Sequence, residues 1–336
     1  MAKSQKTGGR KMNEQCEVTK AIGLFGIIPT VVIKNVDQAV PLARALIASN
    51  LSIMQVSFRT EAAMAAIQAI CKEFPNMLVG ASDIITPEQV NDAAAGGAKF
   101  LTTAGFNPKV VKQAEANSIV IYPGVTTNTD VEKALELGIR NLNFYTTTQN
   151  NDVTAMVNGL CSPYENVRGI CTNRYDPKTM TTLLTNSNVL ACATDFTKII
   201  SEKDWEEKVS HFAKTLIDLV VLGHVTTHVG INCQAEPDAV GTANYLAKIF
   251  GLEMENGGGS VWIGEGIEVM KVSGRGEHGH IAIRTNNVRR SMHYMGLRDD
   301  VKFAPETFNE KDGVLISAYL QHDIGGFAFH LLQRGY

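Results

Sequence analysis

Thr227-His228-Val229-Gly230-Ile231-Asn232 and Gly279-His280-Ile281-Ala282-Ile283-Arg284 decide how the last third of this chain folds. Each stretch reads as a histidine opening an apolar-alternating strand, the period-two pattern of a half-buried sheet. Each is followed by an amphipathic helix that runs up to a Gly-Leu pair, Gly251-Leu252 and Gly296-Leu297. Each then closes on a strand with a potential ligand between apolar neighbours: Ile267-Glu268-Val269 in the first copy, Phe329-His330-Leu331 in the second. This is an internal repeat, and it predicts two βαβββ modules related by a pseudo-dyad. Their opening and closing strands would share one curved sheet, and His228, Glu268, His280 and His330 would face one cup. Three imidazoles and a carboxylate suit an octahedral divalent ion: Ni²⁺, Mn²⁺, Fe²⁺, Co²⁺ or Zn²⁺. A lone strand histidine is usually an ordinary hydrogen-bonded side chain. Four donors at symmetry-matched positions favour the metal.

Upstream, from Gly26 to about Gly223, short apolar strands alternate with amphipathic helices, the signature of parallel βα units. The strands are expected at Ile27–Ile33, Ile53–Phe58, Met77–Ile84, Phe100–Gly105, Ile119–Val125, Asn141–Thr146, Val167–Asn173 and Val189–Phe196. Thr86-Pro87, Asn107-Pro108 and Asp176-Pro177 each set a capping side chain before a proline at the first helical position, and Thr60 and Ser201 are read as two more caps. The last of these helices is expected at Glu202–Leu222. Eight such units in this length predict a (β/α)₈ TIM barrel, with an open doubly wound sheet as the structural alternative. The fold class is therefore α/β, a barrel followed by an α+β domain. The domain boundaries expected are a disordered tail over 1–20, the barrel over 21–222, a linker over 223–227 and the second domain over 228–336.

In a barrel, chemistry sits at the carboxyl ends of the strands. That singles out Gln55, Ser57 and Arg59; Ser82 and Asp83; Thr102 and Thr103; Thr126; Asn143 and Tyr145; Cys171–Arg174; and Ala193–Asp195. Asn143, Thr146, Thr147 and Thr148 form a polar mouth.

The bulk properties narrow the function classes. A chain of 336 residues, 44% hydrophobic and 19% charged, is long enough for two buried cores. A net charge of −3 makes no electrostatic case for nucleic acid or an anionic membrane. No apolar run reaches the length of a membrane span and the polar start has no signal-peptide core, so a cytoplasmic location is expected. The cysteines Cys16, Cys71, Cys161, Cys171, Cys192 and Cys233 include no C-x-x-C pair, which fits reduced thiols.

Two resemblances follow from these residues. T-H-V-G-I at 227–231, G-I-E-V at 266–269, G-H-I-A-I at 279–283 and G-G-F-A-F-H-L at 325–331 resemble the vicinal oxygen chelate (VOC) superfamily, the glyoxalase and extradiol dioxygenase fold. The resemblance implies metal ligands on the first, fourth, fifth and eighth strands, which are His228, Glu268, His280 and His330. The family's last ligand is commonly glutamate, and His330 departs from that pattern. P-T-V-V-I-K at 29–34, M-Q-V-S-F-R-T-E-A-A at 54–63 and I-Y-P-G-V-T-T at 121–127 resemble the KDPG/KHG (2-keto-3-deoxy-6-phosphogluconate/4-hydroxy-2-oxoglutarate) aldolases over roughly residues 20–220. That family's reaction uses a Schiff-base lysine, an acid/base glutamate, an arginine and a threonine for the keto-acid carboxylate, and glycine turns for phosphate. Here those positions hold Asn143, Gln55, Arg59, Asp83, Asn173-Arg174 and Ala193-Thr194. An amide cannot form an imine, and Gln55 has no titratable proton to move. The resemblance also implies a homotrimer. The apolar stripes of Val36–Ser49 and Thr60–Phe74 are wide enough for self-association, although core packing accounts for them first.

Three functions are weighed. The first is a metal-dependent VOC site acting on a small 2-oxo or 2-hydroxy acid or aldehyde, carried on a barrel that has lost aldol chemistry. The second is a working class I lyase releasing pyruvate. The third is a non-catalytic scaffold or sugar-acid-binding protein.

Overall fold

The computed structural model describes residues 16–146 and 153–335. The chain divides into two compact units, one ending at Val221 and one beginning at Leu222. Strands of the first are β1 (Ile27–Val31), β2 (Ile53–Ser57), β3 (Leu78–Ser82), β4 (Phe100–Thr102), β5 (Val120–Tyr122), β6 (Gly124–Val125), β7 (Asn141–Tyr145), β8 (Arg168–Thr172) and β9 (Val189–Asp195). All are parallel, in the order β5-β4-β3-β2-β1-β9-β8-β7-β6. The two ends of that sheet are consecutive in the chain, separated by Pro123 alone, so the sheet closes on itself.

The expected strand Ile119–Val125 is thus split. Pro123 has no N–H to give to a ladder. The residues before it pair with β4 and those after it with β7, while its carbonyl accepts from Asn143 N at 2.9 Å. Closure favours the barrel over the open sheet. Gly80 is needed inside it, because a Cβ there would run into the Phe100 ring.

Helices alternate with these strands, and three start where the capping pattern predicts. Thr86, Asn107 and Asp176 each accept a backbone N–H at the head of a Pro-initiated helix. Thr60 does not cap: its hydroxyl donates to Ile33 O, and the helix begins at Ala63. Ser201 does not cap either. It ends a 3-10 turn, and the expected helix Glu202–Leu222 is an α-helix over Trp205–Leu216 continued by a π-helical turn over Ile217–Leu222.

The tail expected over 1–20 falls outside the described residues up to position 15. Residues 16–25 are helical, with Ile22 and Phe25 buried and Thr19 accepting from the Tyr122 hydroxyl at 2.9 Å, so residues 16–20 belong to the fold. Thr147 and Thr148 lie outside the described residues. Among the described residues, no helix is long and apolar enough to cross a membrane, and the cysteines are free thiols.

The second unit runs β10 (Val225–Asn232), α-helix Glu236–Phe250, β11 (Met254–Asn256), β12 (Ser260–Ile263), β13 (Ile267–Met270), then β14 (Gly279–Thr285), α-helix Val288–Met295, β15 (Asn309–Lys311), β16 (Val314–Tyr319) and β17 (Phe327–Gln333). Each half is strand, helix, three strands. The sheet order β11-β12-β13-β10-β14-β17-β16-β15 is mirrored about the antiparallel β10–β14 pair. β10 starts at Val225, so the linker expected over 223–227 is already strand for most of its length, and His228 sits inside the strand instead of opening it. The first helix ends at Gly251 in the left-handed conformation that glycine tolerates (φ 64°), whereas Gly296 keeps right-handed helical angles. One sheet face packs under the helices: Val261, Ile263 and Val269 with Ala239 and Ala243, and Leu315, Ala318 and Leu331 with Val288. By alternation, the other face carries Ser260, Trp262, Glu268, His280, Ala282 and His330.

Candidate metal centre and barrel mouth

In the second unit, register brings the predicted ligands together. Gly230 pairs with both Glu268 and His280, and Ala282 pairs with both His228 and His330. Gly230 is required between them, since a Cβ at that position would collide with the His280 ring. The Nε2 atoms of His228 and His280 lie 3.2 Å apart. Glu268 Oε2 is 3.1 Å from His280 Nε2 and 3.5 Å from His228 Nε2. One ring nitrogen from each of His228, His280 and His330 falls within 4.8 Å of the others, and all three residues are buried.

The chemistry of this set fits a divalent cation. Neither His330 ring nitrogen has a hydrogen-bond partner, although both are buried. Burial first, and the neighbouring His280 and His228 next, push the His330 imidazole down to about 4. Burial likewise lowers His228, against the pull of Glu268. Burial alone would raise Glu268, but hydrogen bonds from His280 and Ser260 outweigh it and keep the carboxyl below its ordinary range. The lowered His228 and His330 imidazoles beside an ionised Glu268 carboxylate tend toward the protonation states that metal ligation needs.

Surrounding residues hold these groups in place. Ser260 Oγ donates to Glu268 Oε1 at 2.6 Å. Trp262 meets His228 edge-on at 4.9 Å between centroids, and Tyr319 stacks on His330 at 4.6 Å and 19°. Asn232 clamps the following loop through Gly274 N, Gly274 O and Gly276 O, and Arg275 from that loop lies 5.7 Å from the Tyr319 ring centroid. The sequence reading missed Ser260, Trp262 and Tyr319. For Ser260 and Trp262 the signal was the alternation of Ser260-Val261-Trp262-Ile263, with the apolar residues under the helix.

Most of the polar groups singled out in the barrel are satisfied internally, although the Ser82 hydroxyl is buried without a partner. Gln55 is fully buried, donating to Thr30 Oγ1 at 2.7 Å and accepting from Thr102 Oγ1 at 3.0 Å. Asn143 donates to Thr103 O at 2.8 Å and accepts from Thr172 Oγ1 at 2.6 Å. The two arginines at the mouth each have a carboxylate: Arg59–Asp83 at 3.0 Å and Arg174–Asp195 at 2.6 Å. Ser57 Oγ joins the first pair, donating to Asp83 at 2.5 Å and accepting from Arg59 Nε at 2.9 Å. Asn173 donates to Thr146, which shares a hydroxyl contact with Tyr175 at 2.8 Å.

A closed ring of parallel strands with polar side chains at its carboxyl rim makes the first unit a (β/α)₈-barrel protein. Within that class, the chain belongs to the KDPG and KHG aldolase family, whose profile matches residues 18–211. A 2-dehydro-3-deoxy-phosphogluconate aldolase of Treponema pallidum is 38% identical over 175 residues, 52% of this chain and 83% of the relative. One from Haemophilus influenzae is 32% identical over 197 residues, 58% of this chain and 92% of the relative. Among solved structures, the 2-keto-3-deoxy-6-phosphogluconate aldolase of Zymomonas mobilis ZM4 with 3-phosphoglycerate aligns at TM-score 0.55 and 26% identity, covering 60% of this chain and 95% of that one.

Proposed function

We propose that this chain carries its chemistry in the second unit, as a metal-dependent site of the VOC kind acting on a small 2-oxo or 2-hydroxy acid or aldehyde. On this reading the barrel has lost the Schiff-base reaction. The observation that carries it is the convergence of His228, His280 and Glu268 donor atoms beside an unpartnered His330. His228, Glu268, His280 and His330 would hold a divalent ion, with imidazole-rich coordination suiting Ni²⁺, Mn²⁺, Fe²⁺, Co²⁺ or Zn²⁺. When bound, the ion would supply a Lewis acid for vicinal substrate oxygens. Ser260 fixes the Glu268 carboxylate, while Trp262 and Tyr319 wall the site with apolar ring faces. The paired strand–helix–three-strand halves also support the VOC reading.

The test is metal analysis of protein purified without chelators and then reconstituted. About one equivalent of ion is expected per chain, and none for His280→Ala. Reconstituted wild-type protein that holds no ion would end the proposal.

For the barrel, what supports loss is the amide at Asn143 and the neutral, hydrogen-bonded Gln55. Borohydride reduction in the presence of pyruvate, followed by intact mass, should give no adduct.

A second reading is favoured by the relatives, whose names are aldolase names and most of whose length this chain spans. It is a class I lyase cleaving 2-keto-3-deoxy-6-phosphogluconate or 4-hydroxy-2-oxoglutarate to pyruvate plus an aldehyde. A pyruvate adduct in the same experiment would establish it. The homotrimer implied by the family is read from mass in solution by light scattering.

A further inference from the structure

We propose that Arg284 is the counter-charge for an anionic group of the ligand taken by the His228/Glu268/His280/His330 site. The substrate class is then an anionic oxo- or hydroxy-acid, not a neutral dicarbonyl or aldehyde. The inference rests on the metal-site reading above and narrows it.

Three observations carry it. First, alternation along β14 puts Arg284 on the sheet face of His280 and Ala282, opposite Ile283, which packs with Leu315, Ala318 and Leu331 under the helix. Second, Arg284 lies two positions past Ala282, the residue paired with both His228 and His330. That is about 7 Å along the strand, a span an arginine side chain covers. Third, Arg284 Nε is buried and has no acceptor. Among the described residues it is the one arginine or lysine side-chain nitrogen in that condition. The cations Arg275, Arg289 and Arg298 of the same unit each face a carboxylate, from Glu306, Glu310 and Asp300.

A guanidinium N–H taken out of water without an acceptor is destabilising, and an incoming carboxylate that accepts from Arg284 Nε and the adjacent fork relieves that. In a 2-oxo acid a metal would hold the oxo oxygen and one carboxylate oxygen, leaving the second carboxylate oxygen to the fork. Arg284 therefore discriminates by charge, while the ligand set discriminates by oxygen spacing.

The test uses the full-length protein, reconstituted with Mn²⁺ or Ni²⁺, as wild type, Arg284→Gln and Arg284→Lys. Metal content is measured first; its absence in wild type sinks the metal reading, not the role of Arg284 alone. Binding of pyruvate and of hydroxyacetone, a neutral compound with the same vicinal oxygens, is then followed by calorimetry. Pyruvate affinity should fall at least about tenfold in Arg284→Gln, with hydroxyacetone and metal content unchanged. If glutamine unfolds the chain, Arg284→Lys serves: it keeps a charge but loses the fork, and pyruvate alone should weaken, by roughly threefold or more. Equal pyruvate binding by metal-loaded wild type and either folded variant overturns the proposal. So does equal weakening of pyruvate and hydroxyacetone.

Discussion

His228 and His280 bring their Nε2 atoms to 3.2 Å across the β10–β14 pair, with one Glu268 oxygen within 3.5 Å of both. Three lone-pair donors converging in a buried space are costly unless a proton or a cation sits among them. Adding the ion should therefore stabilise the second unit. At a free ion concentration a hundred times Kd, the gain is about 2.7 kcal/mol. Differential scanning calorimetry should show one transition rising by several degrees on reconstitution and returning with EDTA, while the barrel transition stays fixed.

Gly230→Ala sets a methyl against the His280 ring. Both β10 neighbours are strands, so the backbone has little freedom to yield. The expected cost is about 1–3 kcal/mol of stability in the second unit. Metal affinity should drop with it, as read by competition with a chromophoric chelator.

Ser260→Ala removes the hydroxyl that orients Glu268 without touching any proposed ligand. Supporting hydrogen bonds of this kind are worth roughly ten- to a hundredfold in metal affinity. The same titration reads it. An unchanged affinity would mean that Glu268 is positioned by the histidines alone.

Asn143→Ala leaves the Thr172 hydroxyl without its acceptor and opens a hole in the barrel. A loss of about 2–4 kcal/mol is expected from urea denaturation followed by a barrel signal. Metal binding should be unaffected.

Asp195 contributes to the acid limb of the barrel's stability. Burial would raise its carboxyl, but hydrogen bonds from Thr197 and the Arg174 guanidinium outweigh that and hold it low. A carboxyl lowered by folding contributes stability that is fully present above its unfolded value, near 4, and is lost as pH falls through the folded value. Because Arg174 is 72% exposed, solvent screening limits the effect to about 1 kcal/mol or less. Wild type should exceed Asp195→Asn in urea midpoint at pH 7, with the gap closing below about pH 4.

The (β/α)₈ order was legible in the chain because each strand is a short apolar run between turn residues and three helices open with a capping side chain before proline. Those signals are local, and the barrel strands lie within two or three residues of where they predict. Thr60 and Ser201 failed as caps because a hydroxyl near a helix start is free to bond elsewhere: Thr60 donates to the distant Ile33 O and Ser201 to Lys198 O in the turn before it. The break at Pro123 was visible as a residue but not as a seam, since closure is a property of the whole ring.

By itself the sequence determined the duplicated strand–helix–strand order, the four candidate ligands, and the amide side chains Gln55 and Asn143 on two barrel strands. Those are facts of residue type and period. Only the tertiary structure decided that β10 and β14 run antiparallel with Gly230 opposite His280, that Ser260 reaches Glu268, and that Arg284 Nε is left without an acceptor. Register and burial arise between strands that are distant in the chain, where no local pattern records which side chain meets which.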